Sequence, residues 1–262
     1  INKKLKIIYA KKIKINENNI GKKIIGNFQI KNLLMASTAA SLCGVKKEKI
    51  YKILKKIKNV NSRLERVRIL PNKTKVFVDY AHTPDALETV LKSLRDKFNT
   101  RLTLIFGCGG ERDIQKRKLM AKIADKFCDK IYITDDNPRN ESPKKIRDEL
   151  SKYIPKNKSF NIGNRELAIK KAVINAKPQE IILIAGKGHE EQQIYKNKII
   201  NISDKKIIKK LNIKINKFNK KKQNYLQNKM ILEKILNRKK LMNFDGLSID
   251  TRTIKKDNLF LA

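Results

Sequence analysis

The chain has 262 residues, 40% of them hydrophobic, enough for one large domain or two modest ones around a real core. Its balance is strongly basic, with 63 Lys and Arg against 25 Asp and Glu for a net charge of +38. The lysines run from end to end among Asn and Ile, and aromatic residues make up only 6%, which argues for compositional drift over a focused nucleic-acid face.

No apolar run approaches the roughly 20 residues a membrane helix needs. The first residue is Ile1 and no signal pattern follows it, so the sequence reads as a fragment of a longer, cytoplasmic polypeptide. Cys43, Cys108 and Cys128 match no zinc spacing and read as reduced thiols.

Residues 1–58 read as a short strand pair followed by helices. Ile7, Ile8 and Tyr9 form a compact apolar run, and residues 33–42, rich in Leu, Met and Ala, read as a buried helix closed by Gly44. A second helix over 48–58 places Ile50, Leu54 and Ile57 on one face, with Ile53 beside them.

Strand and helix then alternate. Val76–Val78 is a strand core. Residues 85–98 form a helix with Leu87, Val90, Leu91 and Leu94 along one stripe, and residues 102–106 form a buried strand. Leu119, Met120, Ile123, Ala124 and Phe127 line another helix. Residues 131–134 and 181–185 are further strands, with helices near 143–153 and 166–175 between them. This pattern predicts an α/β fold with a mostly parallel layered sheet and helices on both faces. After about Lys205 the periodicity fades. Residues 214–229 read as a basic linker, helical character resumes over 230–236, and residues 247–262 look like the start of another domain.

In open α/β sheets, ligands bind beyond the carboxyl ends of the strands. Four polar loops occupy such positions: residues 79–84, 107–113, 135–139 and 186–190. Both histidines of the chain, His82 and His189, lie in them, equally consistent with site roles and with structural hydrogen bonding. The glycine-rich loops could expose N–H groups to an anion or simply punctuate turns, and neither is a Walker A sequence. Asp136, Asn137, Pro138 and Arg139 set a carboxylate beside a guanidinium. A zwitterionic amino acid needs that pairing, and a solvated loop with its own salt bridge would also contain it.

The loops 78–87, 107–113, 136–139 and 184–190, in that order, resemble those of the Mur ligases over roughly residues 24–205. The resemblance implies the Rossmann-like carboxy-terminal domain of an ATP-dependent amide ligase. Such an enzyme adds meso-diaminopimelate to UDP-N-acetylmuramoyl-L-alanyl-D-glutamate. By that resemblance, Arg112, Asp136, Asn137, Pro138, Arg139, Gly186 and Glu190 would hold diaminopimelate. Arg139 would face the distal carboxylate and Glu190 an ammonium. Asn32, Arg63, Tyr80 and His82 would lie near ATP. Gln29 and Ser62 depart from the family pattern, which has Asn and Gly there, the latter in the hinge that includes Arg63 and Glu65.

The implied organisation is a remnant of the central ATPase domain over 1–60, the carboxy-terminal domain over 61–212, a linker over 213–229, and over 230–262 the truncated start of a following amino-terminal domain. That tail resembles the opening of a MurF-like ligase, which would imply a fusion; the amino-terminal domain of the diaminopimelate-adding ligase has a similar signature, and a terminal extension of accidental likeness is the alternative. The phosphate loop and the magnesium ligands belong to the central domain of the family. No catalytic residue and no metal ligand is therefore assigned, and the chain alone is not expected to release ADP. A basic nucleic-acid-binding module and a folylpolyglutamate synthase-like ligase stand as the alternative readings.

Overall fold

The computed structural model describes residue 15, residues 24–212, and the backbones of residues 246–248 and 258–260. The chain divides into two compact units, Ile1–Ile213 and Lys214–Ala262. In the first unit, α1 (Asn27–Leu42) and α2 (Lys47–Leu54) precede β1 (Glu65–Ile69) and β2 (Lys75–Asp79). Next come α3 (Pro84–Lys97), β3 (Leu102–Phe106), α4 (Gln115–Phe127), β4 (Lys130–Ile133), α5 (Pro143–Ser151), β5 (Ser159–Asn161), α6 (Arg165–Ile174) and β6 (Ile181–Ala185). A hairpin, β7 (Gln192–Tyr195) and β8 (Lys198–Asn201), and α7 (Asp204–Lys210) complete it. In the second unit, β9 (Gly246–Ser248) pairs in parallel with β10 (Asn258–Phe260). The expected strand pair around Ile7, the linker and the 230–236 helix lie outside the described residues.

The main sheet has six strands in the order β1-β2-β6-β3-β4-β5. All neighbours are parallel except β1, which runs antiparallel to β2 with an irregularity between Arg66 and Arg68. Period-two alternation divides the strand side chains between two cores. Phe77, Leu104, Phe106, Ile131, Ile133 and Leu183 join α3, α4 and α5 on one face. Val76, Val78, Ile105, Tyr132, Ile182 and Ile184 meet α6 and α7 on the other. The central strands β3 and β6 are buried along their whole length, as a two-sided parallel sheet requires.

Caps fix where the helices start. Thr83 accepts from Ala86 N ahead of Pro84, Ser142 caps α5 ahead of Pro143, and Asn164 Oδ1 accepts from Leu167 N at 2.8 Å.

Two expectations need correction. Helix α1 exists, but it is not buried: Met35 is 63% exposed, Leu42 is exposed too, and its buried residues are Gln29, Ser37 and Thr38. Its apolar residues surround the helix without forming a stripe, and only Leu33, Leu34 and Ala40 reach the Ile50–Leu54 cluster of α2. In α4 the buried stripe is Arg117, Met120, Ala121 and Ala124, at i, i+3, i+4 and i+7, which leaves Leu119 51% exposed. Hydrophobicity alone hid this phase because the stripe begins with an arginine.

Candidate functional site

Strands β2, β3, β4 and β6 are parallel neighbours, so the loops leaving their carboxyl ends lie along one edge of the sheet. Hydrogen bonds interlock three of these loops. Gly110 N donates to Asn137 O at 2.9 Å, and Arg139 Nη1 donates to Gly110 O at 2.9 Å and Asn137 O at 3.3 Å. Asn137 Nδ2 donates to Glu190 Oε2 at 3.0 Å, joining the loop after β4 to the loop after β6. Arg139 has φ +52°, which turns its side chain back over the glycine-rich loop. A Cβ built on Gly109 would lie 3.0 Å from Arg139 Nη1 and 3.9 Å from Arg112 Cγ, so side chains of both arginines lie close to Gly109. Arg112 itself is exposed.

Gly186 and Gly188 both take positive φ, +108° and +54°. Between them the chain turns Lys187 inward, and its ammonium donates to Asn137 Oδ1 at 3.0 Å and Glu190 Oε2 at 3.1 Å. A Cβ on Gly186 would stand 2.8 Å from Asp136 Oδ2, and one on Gly188 would stand 2.8 Å from Tyr80 Cβ. Burial opposes ionisation of Glu190, but Lys187, Asn137 and Tyr80 outweigh it and hold the carboxyl below the ordinary Glu range.

The residues expected near ATP separate into two groups. Tyr80 lies 4.6 Å from the His82 ring and 5.1 Å from the His189 ring, with the Arg63 guanidinium 5.2 Å from its centroid. Its hydroxyl donates to Glu190 Oε1 at 3.3 Å, so the aromatic cluster abuts the amphoteric loops. Burial and the Glu190 charge raise the Tyr80 phenol above its usual value. Asn32 is exposed on α1, and no hydrogen bond among the described residues ties it to this cluster. Gln29 lies beneath the Arg63 segment, its Nε2 donating to Arg63 O at 3.2 Å. Asp79, buried at the end of β2, accepts from Leu64 N and from Ala81 N (2.7 Å), and burial raises its carboxyl.

Sequence reasoning passed over Lys187, Tyr195, and the arginines beneath the loops. The β7–β8 hairpin braces the loop after β4. Arg139 N donates to Ile194 O at 3.0 Å, Ile194 N donates to Asn137 Oδ1 at 3.0 Å, and Tyr195 OH donates to Asp135 Oδ2 at 2.9 Å. The available signal was two four-residue runs separated by Lys196-Asn197, a two-residue hairpin connection. Buried Arg117, from α4, donates to Glu141, to Glu149 and, at 3.4 Å, to Gly109 O.

Residues 62–188 match the family model described as Mur ligase, glutamate ligase domain. Those residues carry a Mur ligase carboxy-terminal domain. The chain is 47% identical over 190 residues to a UDP-N-acetylmuramoyl-L-alanyl-D-glutamate–2,6-diaminopimelate ligase of Rickettsia felis, covering 72% of this chain and 35% of that protein. A ligase of the same name from Buchnera aphidicola is 46% identical over 190 residues, or 72% of this chain and 37% of that protein. The chain thus spans little more than a third of these curated relatives. A solved structure of a ligase with that name aligns at TM-score 0.56 with 34% identity, over 71% of this chain and 38% of that one. Folylpolyglutamate synthase from Mycobacterium tuberculosis, solved with ADP and AMPPCP, aligns at TM-score 0.50 with 18% identity over 62% of this chain and 38% of that one, a likeness of fold alone. The domain match and these relatives favour the ligase reading over the nucleic-acid-binding alternative raised by the net charge. Among the described residues no helix is long and apolar enough to cross a membrane.

Proposed function

We propose that this chain is the amino-acid-recognising part of an ATP-dependent ligase that adds meso-diaminopimelate to UDP-N-acetylmuramoyl-L-alanyl-D-glutamate in peptidoglycan precursor synthesis, in the cytoplasm. The observation that carries the reading is the joining of the Asp136–Arg139 loop to Glu190 through Asn137. It places a cationic grip and an anionic grip on one connected frame, as a substrate with two acids and two amines demands.

Both hydrogens of Arg139 Nη1 are committed to carbonyls of the glycine-rich loop and of Asn137. Among the described residues no protein group takes the donors on Nε and Nη2. That edge of the guanidinium suits two-point binding of a carboxylate. Arg112, exposed with its Cγ beside Gly109, adds a second guanidinium to this loop. Glu190, kept ionised by its neighbours, suits an ammonium. Asp136, beside Gly186, adds a second carboxylate. Pro138 is buried behind the loop and limits its conformations.

Arg63, Tyr80 and His82 offer ring faces and a cation of the kind that packs against a nucleotide. ATP, when bound, would activate the acceptor carboxylate for attack by the diaminopimelate amine. The chain's own part is to hold that amine and exclude other amino acids, a matter of positioning. Magnesium would be held mainly by the central domain of such a ligase, as the resemblance implies. A MurF-like continuation over 230–262 belongs to the same proposal and rests on sequence resemblance only.

The test is calorimetric titration of the 262-residue chain with meso-diaminopimelate and with L-lysine, which lacks the second carboxylate. Binding of the diacid alone is expected, with Arg139→Ala weakening it about ten- to a hundredfold, the scale of a hydrogen bond to a charged group. Equal affinity for both amino acids, or an Arg139→Ala variant that binds normally, sinks the reading.

A further inference from the structure

Lys187 is only 1% exposed, although it sits in a loop at the edge of the sheet. A buried ammonium without acceptors is strongly unfavourable and sheds its proton, so the groups around it have to be counted. It donates to Asn137 Oδ1 and to Glu190 Oε2. Asn137 Oδ1 also accepts from Ile194 N, which uses both of its lone pairs. Glu190 Oε2 accepts from Lys187 and from Asn137 Nδ2, which uses both of its own. Glu190 Oε1 accepts from the Tyr80 hydroxyl alone and keeps one acceptor site open.

We propose that Lys187 is a positioning residue for the amino-acid substrate: it clamps Oε2 of Glu190 against Asn137, so that Oε1 is the edge presented to a substrate ammonium. The proposal rests on the diaminopimelate reading for the identity of that ammonium, while the clamp is a property of the ligand-free chain. It also gives Asn137 a different task from direct recognition, because its amide oxygen is already saturated within the protein. The clamp fixes the direction from which a cation can approach, and Tyr80 makes that direction answer to the aromatic cluster on the neighbouring loop.

Without the lysine, Glu190 keeps its partial burial and loses its closest cation. The other charged or titratable groups near it include the Tyr80 hydroxyl from the loop after β2, with Arg63, His82 and His189 against the Tyr80 ring, Asp136 from the loop after β4, and the more distant buried Arg165 of α6. Asp136 repels a carboxylate, and Arg165 is already neutralised by Asp204. Protonation of Glu190 would therefore move to higher pH, and the carboxyl would be released to turn.

Two measurements on the 262-residue chain test this. The first follows the Glu190 carboxyl by carbon NMR against pH without ligand, the signal assigned with Glu190→Gln, in the unsubstituted chain, Lys187→Met and Lys187→Arg. The second titrates meso-diaminopimelate calorimetrically into the same proteins between pH 5 and pH 8, as a range of roughly neutral to mildly acidic conditions in which a raised Glu carboxyl would titrate.

Lys187→Met is expected to raise the Glu190 midpoint by about one unit or more, and to weaken diaminopimelate binding about tenfold near neutrality with a steeper loss toward acid. Lys187→Arg, which keeps the cation, is expected to recover most of both. Lys187→Gln replaces the methionine variant if that one loses its fold. An unchanged Glu190 midpoint in Lys187→Met overturns the clamp, as do equal, pH-independent losses in Met and Arg, the signature of damaged packing alone. A shifted midpoint in a chain that binds no diaminopimelate upholds the clamp and removes the amino-acid reading instead.

Discussion

Arg165 and Asp204 meet as a two-point ion pair in the interior, with Nε to Oδ1 and Nη2 to Oδ2 both at 2.8 Å and neither side chain more than 1% exposed. The pair joins the start of α6 to the start of α7, and Nη2 also donates to Ala185 O at 3.0 Å, where β6 turns into the Gly186–Glu190 loop. A single buried cation therefore supports the sheet end from which part of the candidate site is built.

Breaking this pair from one side is predicted to be costly. Arg165→Met leaves Asp204 buried without its cation, and Asp204→Leu leaves the guanidinium without its anion, each at about 3–5 kcal/mol in the unfolding free energy. The double variant is expected to lose much less than the sum, because no lone charge remains inside. Urea unfolding of the four proteins gives the comparison, and additive losses would show that the two residues act independently.

The contrast between Arg165 and the strands explains what could be read from the sequence. Parallel strands such as β3 and β6 announce themselves as short apolar runs between turn residues, and the polar loops after them follow at once. Arg165 and Arg117 look like surface residues in sequence, since nothing local marks the distant carboxylates of Asp204, Glu141 and Glu149 that make their burial tolerable. Lys187 is intermediate. It stands between two glycines after a buried strand, with an acid three residues on that can pair with it. Short β5 and the antiparallel β1, at the sheet edges, carry mixed exposure and so lack a clean period.

A second prediction concerns Ser62, which has φ +56° and is fully buried, one residue before Arg63 and two before Leu64 at φ +45°. A non-glycine residue held in the left-handed region costs roughly 1–2 kcal/mol, and the added freedom of glycine in the unfolded chain offsets about half of that. Ser62→Gly is thus expected to stabilise by up to about 1 kcal/mol and raise Tm by roughly 2–4 °C, as read by calorimetry. Leu64→Gly relieves the same backbone but empties a fully buried position, and is expected to destabilise by about 2–5 kcal/mol. A fall in Tm for Ser62→Gly would contradict the strain assigned to that residue.

Acid sensitivity has a specific source in Glu65. Burial raises its carboxyl, but Lys205 of α7 and the Ser62 N–H outweigh burial and leave it below the reference value of 4.5. A depressed carboxyl contributes stability that is complete above its unfolded value and is lost as pH falls through its folded value. Asp129, held by Leu102 N and Arg95, acts in the same sense. Asp79 acts in the opposite one: burial raises its carboxyl, so its contribution is greatest below the ordinary Asp range and fades as pH rises through the raised value. Glu65→Gln is therefore expected to lower stability at neutral pH and to flatten its decline below about pH 4.5. Denaturant midpoints measured from pH 7 down to pH 3 decide it, and parallel curves for the two proteins would remove Glu65 as a source.

The two glycines around Lys187 should respond differently to alanine. Gly188, at φ +54°, lies in the left-handed region that an L residue can enter, and the obstacle to a Cβ there is Tyr80, whose Cβ and Cα lie 2.8 and 3.0 Å away. Gly186, at φ +108°, lies outside that region, and the added atom would press on Asp136 Oδ2, which can swing aside. Gly188→Ala is expected to displace Tyr80 and to release its hydroxyl from Glu190, changing the Tyr80 ring signals relative to His82 and His189 in NMR with a modest stability loss of about 1–2 kcal/mol. Gly186→Ala is expected to leave Tyr80 in place and to lose more stability, about 2–4 kcal/mol, because the backbone itself has to rearrange. Undisturbed Tyr80 signals in Gly188→Ala would mean that the ring does not depend on that close approach, and the link from the aromatic cluster to Glu190 would then need another support.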